Sequence, residues 1–200
     1  MFDARLRPVI DPPLNRLGFA LAARGVRANA LTLIGLGFGL AAAVAIGFGA
    51  FGAALALILL NRLLDGLDGA VARAAGPTAF GGYLDIVADF AFYVSVPVGF
   101  GFVSPANLPY ALILVASFVL TGVSFLAFAV VAAQQGHETR AHGRKAFFYS
   151  TGLAEGGETI IAFCAMCLLP RAFPELATGF ATLCVVTVFQ RTMLAVRNFE

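Results

Sequence analysis

Tryptophan is absent from the 200 residues, histidine occurs twice and cysteine three times, and only 12% of positions are charged. Without Trp, an interfacial aromatic belt has to be built from Tyr and Phe. Cys164, Cys167 and Cys184 all fall inside apolar segments. That setting argues against a disulfide framework or a thiolate metal site and assigns all three to core packing. His137 and His142 lack ligand spacing, so neither reads as a metal ligand. A formal net charge of +2 on so few charged residues excludes nucleic-acid binding as a primary role. The N-terminal segment has no uninterrupted apolar core, so it is not expected to be a cleaved leader. There is no repeat of fixed period and no low-complexity linker, and one membrane domain is the economical count.

What is abundant is apolar: 60% of the residues are hydrophobic, the composition of a polytopic membrane protein. Six runs are each long enough to cross about 30 Å of hydrocarbon. They cover 30–49, 52–73, 80–103, 108–133, 147–169 and 175–196. Ahead of them, Leu14, Leu17 and Leu21 follow helical spacing after Pro8, Pro12 and Pro13, with Arg16 and Arg24 elsewhere. A short amphipathic helix on the membrane surface fits this pattern, and an irregular basic tail is the alternative. The expected fold is therefore an all-α integral membrane protein of six transmembrane helices. Residues 1–28 form a juxtamembrane segment with the surface helix, and 29–200 form the membrane domain. With the N-terminus inside, one side receives Arg5, Arg7, Arg16, Arg24, Arg27, Arg73, Arg140, Arg144, Lys145, Arg191 and Arg197. The other receives only Arg171. Both termini are thus expected in the cytoplasm, where the loop between the second and third spans also opens.

Against this background, the stretch from Asp65 to Asp89 carries four carboxylates and one arginine. An ionisable group at the centre of a bilayer costs roughly 2.5–3.5 kcal/mol on insertion scales, and a bound cation is the simplest stabilising reason for four of them. Asp65 and Asp68 are spaced i,i+3, and Asp85 and Asp89 i,i+4, so each pair projects from one helix face. Gly76-Pro77-Thr78 marks a tight turn between them. Two antiparallel helices should then face each other, acid to acid. Gly69, Ala72 and Gly81 line the same stripes and leave room for a ligand or a close helix approach.

In these residues the chain resembles the CDP-alcohol phosphatidyltransferase family, whose signature reads D-x2-D-G-x2-A-R-x8-G-x3-D-x3-D. The match runs through Asp65, Asp68, Gly69, Ala72, Arg73, Gly81, Asp85 and Asp89. It departs once, with seven residues between Arg73 and Gly81, a shortening that falls in the Gly-Pro turn. Asn29 and Thr32 keep two positions of a Pro-Asn-x-x-Thr-like stretch, with Ala28 in place of the proline. The resemblance implies a pair of divalent cations, Mg²⁺ or Mn²⁺, held by Asp65, Asp68, Asp85 and Asp89. It implies that Gly69, Ala72, Gly81 and Arg73, with Asp68, Asn29 and Thr32, hold the substrate, and that Asp89 is the catalytic base. The reaction would move a phosphatidyl group from CDP-diacylglycerol to a small alcohol, releasing CMP within phospholipid biosynthesis. The Leu84-Asp85-Ile86-Val87-Ala88-Asp89 segment resembles the form in glycerol-phosphate-using members and favours glycerol 3-phosphate as acceptor. The resemblance also suggests a homodimer among membrane lipids.

Two other classes account for intramembrane carboxylates, an ion or proton transporter and a catalytically silent scaffold. A transporter has no need of the Gly-x-x-Ala-Arg arrangement beside its acids. Outside the signature, the polar loop His137 to Lys145 offers Arg140, Arg144 and Lys145 either to a substrate phosphate or as topology signals. Glu155 and Glu158 open the fifth span at i,i+3. They serve acceptor recognition or pair with an arginine such as Arg62, Arg144 or Arg191.

Overall fold

The computed structural model describes residues 2–135 and 152–199, and side chains from Asp11 onward. Among them the fold is all-helical, with α1 (Phe2–Ala23), α2 (Ala28–Gly47), α3 (Phe51–Ala75), α4 (Ala79–Val103), α5 (Leu108–Gln134), α6 (Gly156–Leu168) and α7 (Phe173–Phe199). Single 3₁₀ turns at Pro105–Asn107 and Pro170–Ala172 lead into α5 and α7. The connections use the residues such turns require. Gly49 and Gly76 sit at φ 74° and 98°, where a Cβ would be strained. At the start of α4, Thr78 caps the helix, its Oγ1 accepting from Gly81 N at 3.0 Å.

Among the described residues, four helical segments are long and apolar enough to cross a membrane: Ala28–Gly47, Ala79–Val103, Pro105–Gln134 and Pro170–Phe199. Two of the six expected spans differ. Helix α3 has the length, with 25 residues, but carries Arg62, Asp65, Asp68 and Arg73 in its second half. Helix α6 has 13 residues, about 20 Å at 1.5 Å per residue. It starts at Gly156 rather than near 147, because Gly152–Glu155 is not helical. The cations expected to act from the loop 137–145 lie outside the described residues.

At the N-terminus the helix begins at Phe2, upstream of the prolines, so Pro8, Pro12 and Pro13 each remove a backbone donor without ending it. Contacts with α3 supply the compensating stability. Leu14 and Leu21 pack on a small apolar cluster of Leu31, Leu67 and Val71. Gly18 lies so close to α3 that a Cβ there would fall 2.5 Å from Ala70 Cβ. Leu17, expected on the same stripe, is instead 49% exposed.

The main core joins α2 to α7 through aromatic rings. Phe100 stacks on Phe173 with centroids 4.4 Å apart, and Phe92 meets Phe163 edge-on at 5.6 Å. Outside this core, Leu112, Val123, Ile161 and Phe189 are exposed, as expected for helices that face lipid.

Helix α2 packs extensively on both α3 and α4, which make few contacts with each other. Small residues permit that closeness. A Cβ on Gly99 of α4 would lie 2.4 Å from the Ala43 carbonyl oxygen of α2, and one on Gly39 would lie 2.6 Å from the Phe92 ring. Gly99→Ala should therefore push α4 off α2 and destabilise the protein by about 1–3 kcal/mol in thermal unfolding in detergent. Gly37→Ala, with nothing within 4 Å, should leave the midpoint unchanged or raise it.

Candidate active site

The acids come from α3 and α4. The two helices meet acid to acid, as the spacing suggested, while each packs its backbone mainly on α2. Asp65, Asp85 and Asp89 each offer one oxygen, and the three oxygens lie within 4.8 Å of one another. The one-residue-shorter connection after Arg73 therefore does not keep the two helices' acids apart. Three hard oxygen donors in one place suit Mg²⁺ or Mn²⁺. The donor set thus fits a divalent cation.

Asp68 is placed differently. It is buried, and its Oδ2 accepts a 2.6 Å hydrogen bond from Thr32 Oγ1 of α2. It stands outside the group of three, within electrostatic reach of Asp65 and Asp85. Thr32, which the resemblance implies at the substrate, holds this carboxylate. Asn29, one turn earlier on α2, lies against α4, with its Oδ1 3.2 Å from where a Gly81 Cβ would be. Gly81 is thus enclosed between Asn29 and Thr78, and a side chain there would disturb both.

Arg73 does not point at the acids. Its Nε and Nη2 donate to Asn15 Oδ1 of α1 at 3.1 and 2.7 Å. Its Nη1 passes over Gly69, 3.3 Å from where a Cβ would stand. Gly69 and Ala72 are half-buried on the same stretch of α3. Asn15 escaped the sequence reading because nothing local ties it to a residue 58 positions away.

In the sequence Arg62 offers itself as a partner for the glutamates. It forms an ion pair with Asp65, one turn along α3, and lies within electrostatic reach of Asp89. The i,i+3 spacing was the available signal. Glu155 and Glu158 sit at the N-terminal end of α6, where negative charge suits the helix dipole. The Glu155 side chain accepts from Gly152 N at 3.0 Å. Thr187 of α7 secures the same segment by accepting from Leu153 N and Ala154 N at 3.1 and 2.9 Å. Arg191, buried on α7, feels the charge of Glu155. It donates to the Thr121 carbonyl and to Ser124 Oγ of α5 at 2.9 and 2.7 Å. Arg144 lies outside the described residues.

A family model described as CDP-alcohol phosphatidyltransferase matches residues 26–196. The chain belongs to the CDP-alcohol phosphatidyltransferase family. It is 44% identical over 192 residues to the inner membrane protein YnjF of Escherichia coli K12, covering 96% of this chain and 93% of that one. It is 40% identical over 89 residues to the archaetidylinositol phosphate synthase of Pyrococcus horikoshii, covering 43% of this chain and 46% of the other. Phosphatidylinositol phosphate synthase of Mycobacterium tuberculosis shares the fold. Its structure with CDP-DAG bound superposes at a TM-score of 0.61 with 23% identity, covering 90% of each chain. The same enzyme with manganese and citrate superposes at 0.65, again at 23% identity, covering 90% of this chain and 87% of that one. Its apolar helices and its inner-membrane relative make this family member a membrane protein.

The Thr32–Asp68 hydrogen bond is the site's best-defined polar contact between helices. Thr32→Val removes the only hydroxyl in it at nearly constant volume, and should cost about 1–3 kcal/mol through a buried carboxylate left one donor short. A double-mutant cycle with Asp68→Ala, read by unfolding, should show coupling of at least about 0.5 kcal/mol. Strict additivity would mean that the two residues act independently.

Proposed function

We propose that the protein transfers a phosphatidyl group from CDP-diacylglycerol to a small alcohol and releases CMP. The observation that carries this reading is the convergence of Asp65, Asp85 and Asp89 from two helices onto one point. It is joined by the order of the eight signature residues. Asp65, Asp85 and Asp89 would hold divalent cations, with Asp68 completing a two-ion site. Bound divalent ions neutralise charge on the phosphoryl oxygens and so favour attack by a hydroxyl.

The chain's own residues do the rest. Asp89 accepts the proton of the acceptor hydroxyl as its oxygen bonds to the phosphorus that carries diacylglycerol. The phosphoanhydride bond breaks and CMP departs with the electron pair. Gly69, Ala72 and Gly81 give the nucleotide access to backbone. Arg73, swung from Asn15, meets the diphosphate by paired hydrogen bonds. Asn29 and Thr32 border the same space from α2.

For the acceptor, the form of the Leu84–Asp89 segment supports glycerol 3-phosphate. Inositol phosphate is the second reading, favoured by the archaeal relative whose name specifies it. In the membrane, α3 and α6 would bring the spans to six, since the cations on the α3 acids remove much of the cost of burying them. Helix α1 would rest on the cytoplasmic surface, with both termini and the site on that side. The functional unit would be a homodimer.

The deciding experiment gives purified protein radiolabelled CDP-diacylglycerol, Mg²⁺ or Mn²⁺, and a panel of alcohols and alcohol phosphates, and follows CMP and lipid together. Stoichiometric CMP and lipid product, abolished by chelation, is the expected result. Ion flux without nucleotide dependence would point to a transporter instead. Asp89→Asn should lower kcat about 10²–10⁴-fold with a much smaller change in donor affinity. Equal loss of binding would make Asp89 one more metal ligand.

A further inference from the structure

The signature does not include Arg62, and the reaction above does not use it. Yet, among the described residues, Arg62 is a cation set beside the acids. It is paired with Asp65, and its charge acts on Asp89. Its guanidinium also reaches α6. A Cβ on Gly156 would lie 3.9 Å from Arg62 Nη1 and 3.3 Å from the Tyr93 hydroxyl. Arg62 therefore lies between the acid cluster and the helix end that carries Glu155 and Glu158.

We propose that Arg62 is the internal counter-cation of the Asp65–Asp85–Asp89 cluster, and that a divalent ion entering the cluster exchanges with it. The proposal rests on the metal reading given above. Three carboxylates whose oxygens lie within 4.8 Å repel one another strongly in apolar surroundings, and one guanidinium offsets a single charge. A dication offsets more and bonds the oxygens directly. Once it is bound, it repels a guanidinium held on the same Asp65 carboxylate. Arg62 has a direction in which to turn, because its guanidinium already reaches the α6 end at Gly156. Metal loading then draws the α3 cation toward α6, and Asp65 passes from ion pairing to metal ligation.

The test uses the full chain in detergent with Mn²⁺ alone as probe. Free Mn²⁺ is read by electron paramagnetic resonance, and stability by thermal unfolding in chelator and in saturating Mn²⁺. Arg62→Gln should bind Mn²⁺ about tenfold more tightly, the order expected when a unit charge is removed several ångström from a dication. It should unfold at a lower temperature than wild type in chelator, with the gap closing in Mn²⁺. Arg62→Lys, which keeps the charge, should stay near wild type in both measurements. Unchanged or weaker Mn²⁺ binding by Arg62→Gln would overturn the proposal. So would an equal loss of stability with and without Mn²⁺, or a failure to fold even in Mn²⁺. If wild type itself bound no Mn²⁺, the metal reading would fall and this proposal with it. Normal binding by wild type with an unaltered Arg62→Gln rejects this proposal alone.

Discussion

Carboxylates gathered in an apolar chain repel one another and lose their hydration, and the arrangement of this protein follows from how that cost is met. Each acid has a different remedy. Asp68 is buried and takes a hydroxyl donor from Thr32 on a neighbouring helix. Asp65 pairs with Arg62. Asp85 and Asp89 bring their oxygens to the same point as Asp65, where a divalent cation fits the donors. In a medium that supplies no water, such a group persists only if cations and hydrogen-bond donors are built in or bound.

Helix α2 makes the convergence of α3 and α4 possible. It carries no charged side chain, yet both acid-bearing helices pack on it. Its small residues admit both neighbours: Gly35 lies against α3, where Asn61 Nδ2 donates to the Gly35 carbonyl at 2.9 Å, and Gly39 lies against Phe92 of α4. Lipid is as apolar as the helix surfaces, so close packing and hydrogen bonds between helices carry the association. Aromatic stacking at the far end, Phe100 on Phe173, ties α4 to α7 and fixes the other end of the same lever.

The acid cluster was legible in the sequence because its spacing is local. Asp65 to Asp68 and Asp85 to Asp89 are single helical turns, and Gly76 with Pro77 closes the turn between them. The positions of α2, α3, α4, α5 and α7 were readable from long apolar runs, to within two or three residues at each end. What escaped was decided by contacts distant in sequence. The α2 wedge was hidden because Gly35, Gly39 and Ala43 look like ordinary members of an apolar run. The pairing of Arg73 with Asn15 joins α3 to α1, and nothing in either helix announces it. The Thr32 hydroxyl on Asp68 joins α2 to α3 across 36 positions, and no local pattern shows it. The start of α6 was misread because Gly152 to Glu155 continues an apolar stretch in composition, while Thr187 and the Glu155 side chain hold its backbone out of the helix.

With acids converging from both, α3 and α4 together form a divalent-cation site. Anomalous diffraction from crystals grown with Mn²⁺, collected at the manganese edge, tests it without reference to any substrate. A strong peak enclosed by the carboxylates of Asp65, Asp85 and Asp89 is the expected result. Crystals that hold Mn²⁺ elsewhere, with no peak among these three residues, would contradict it.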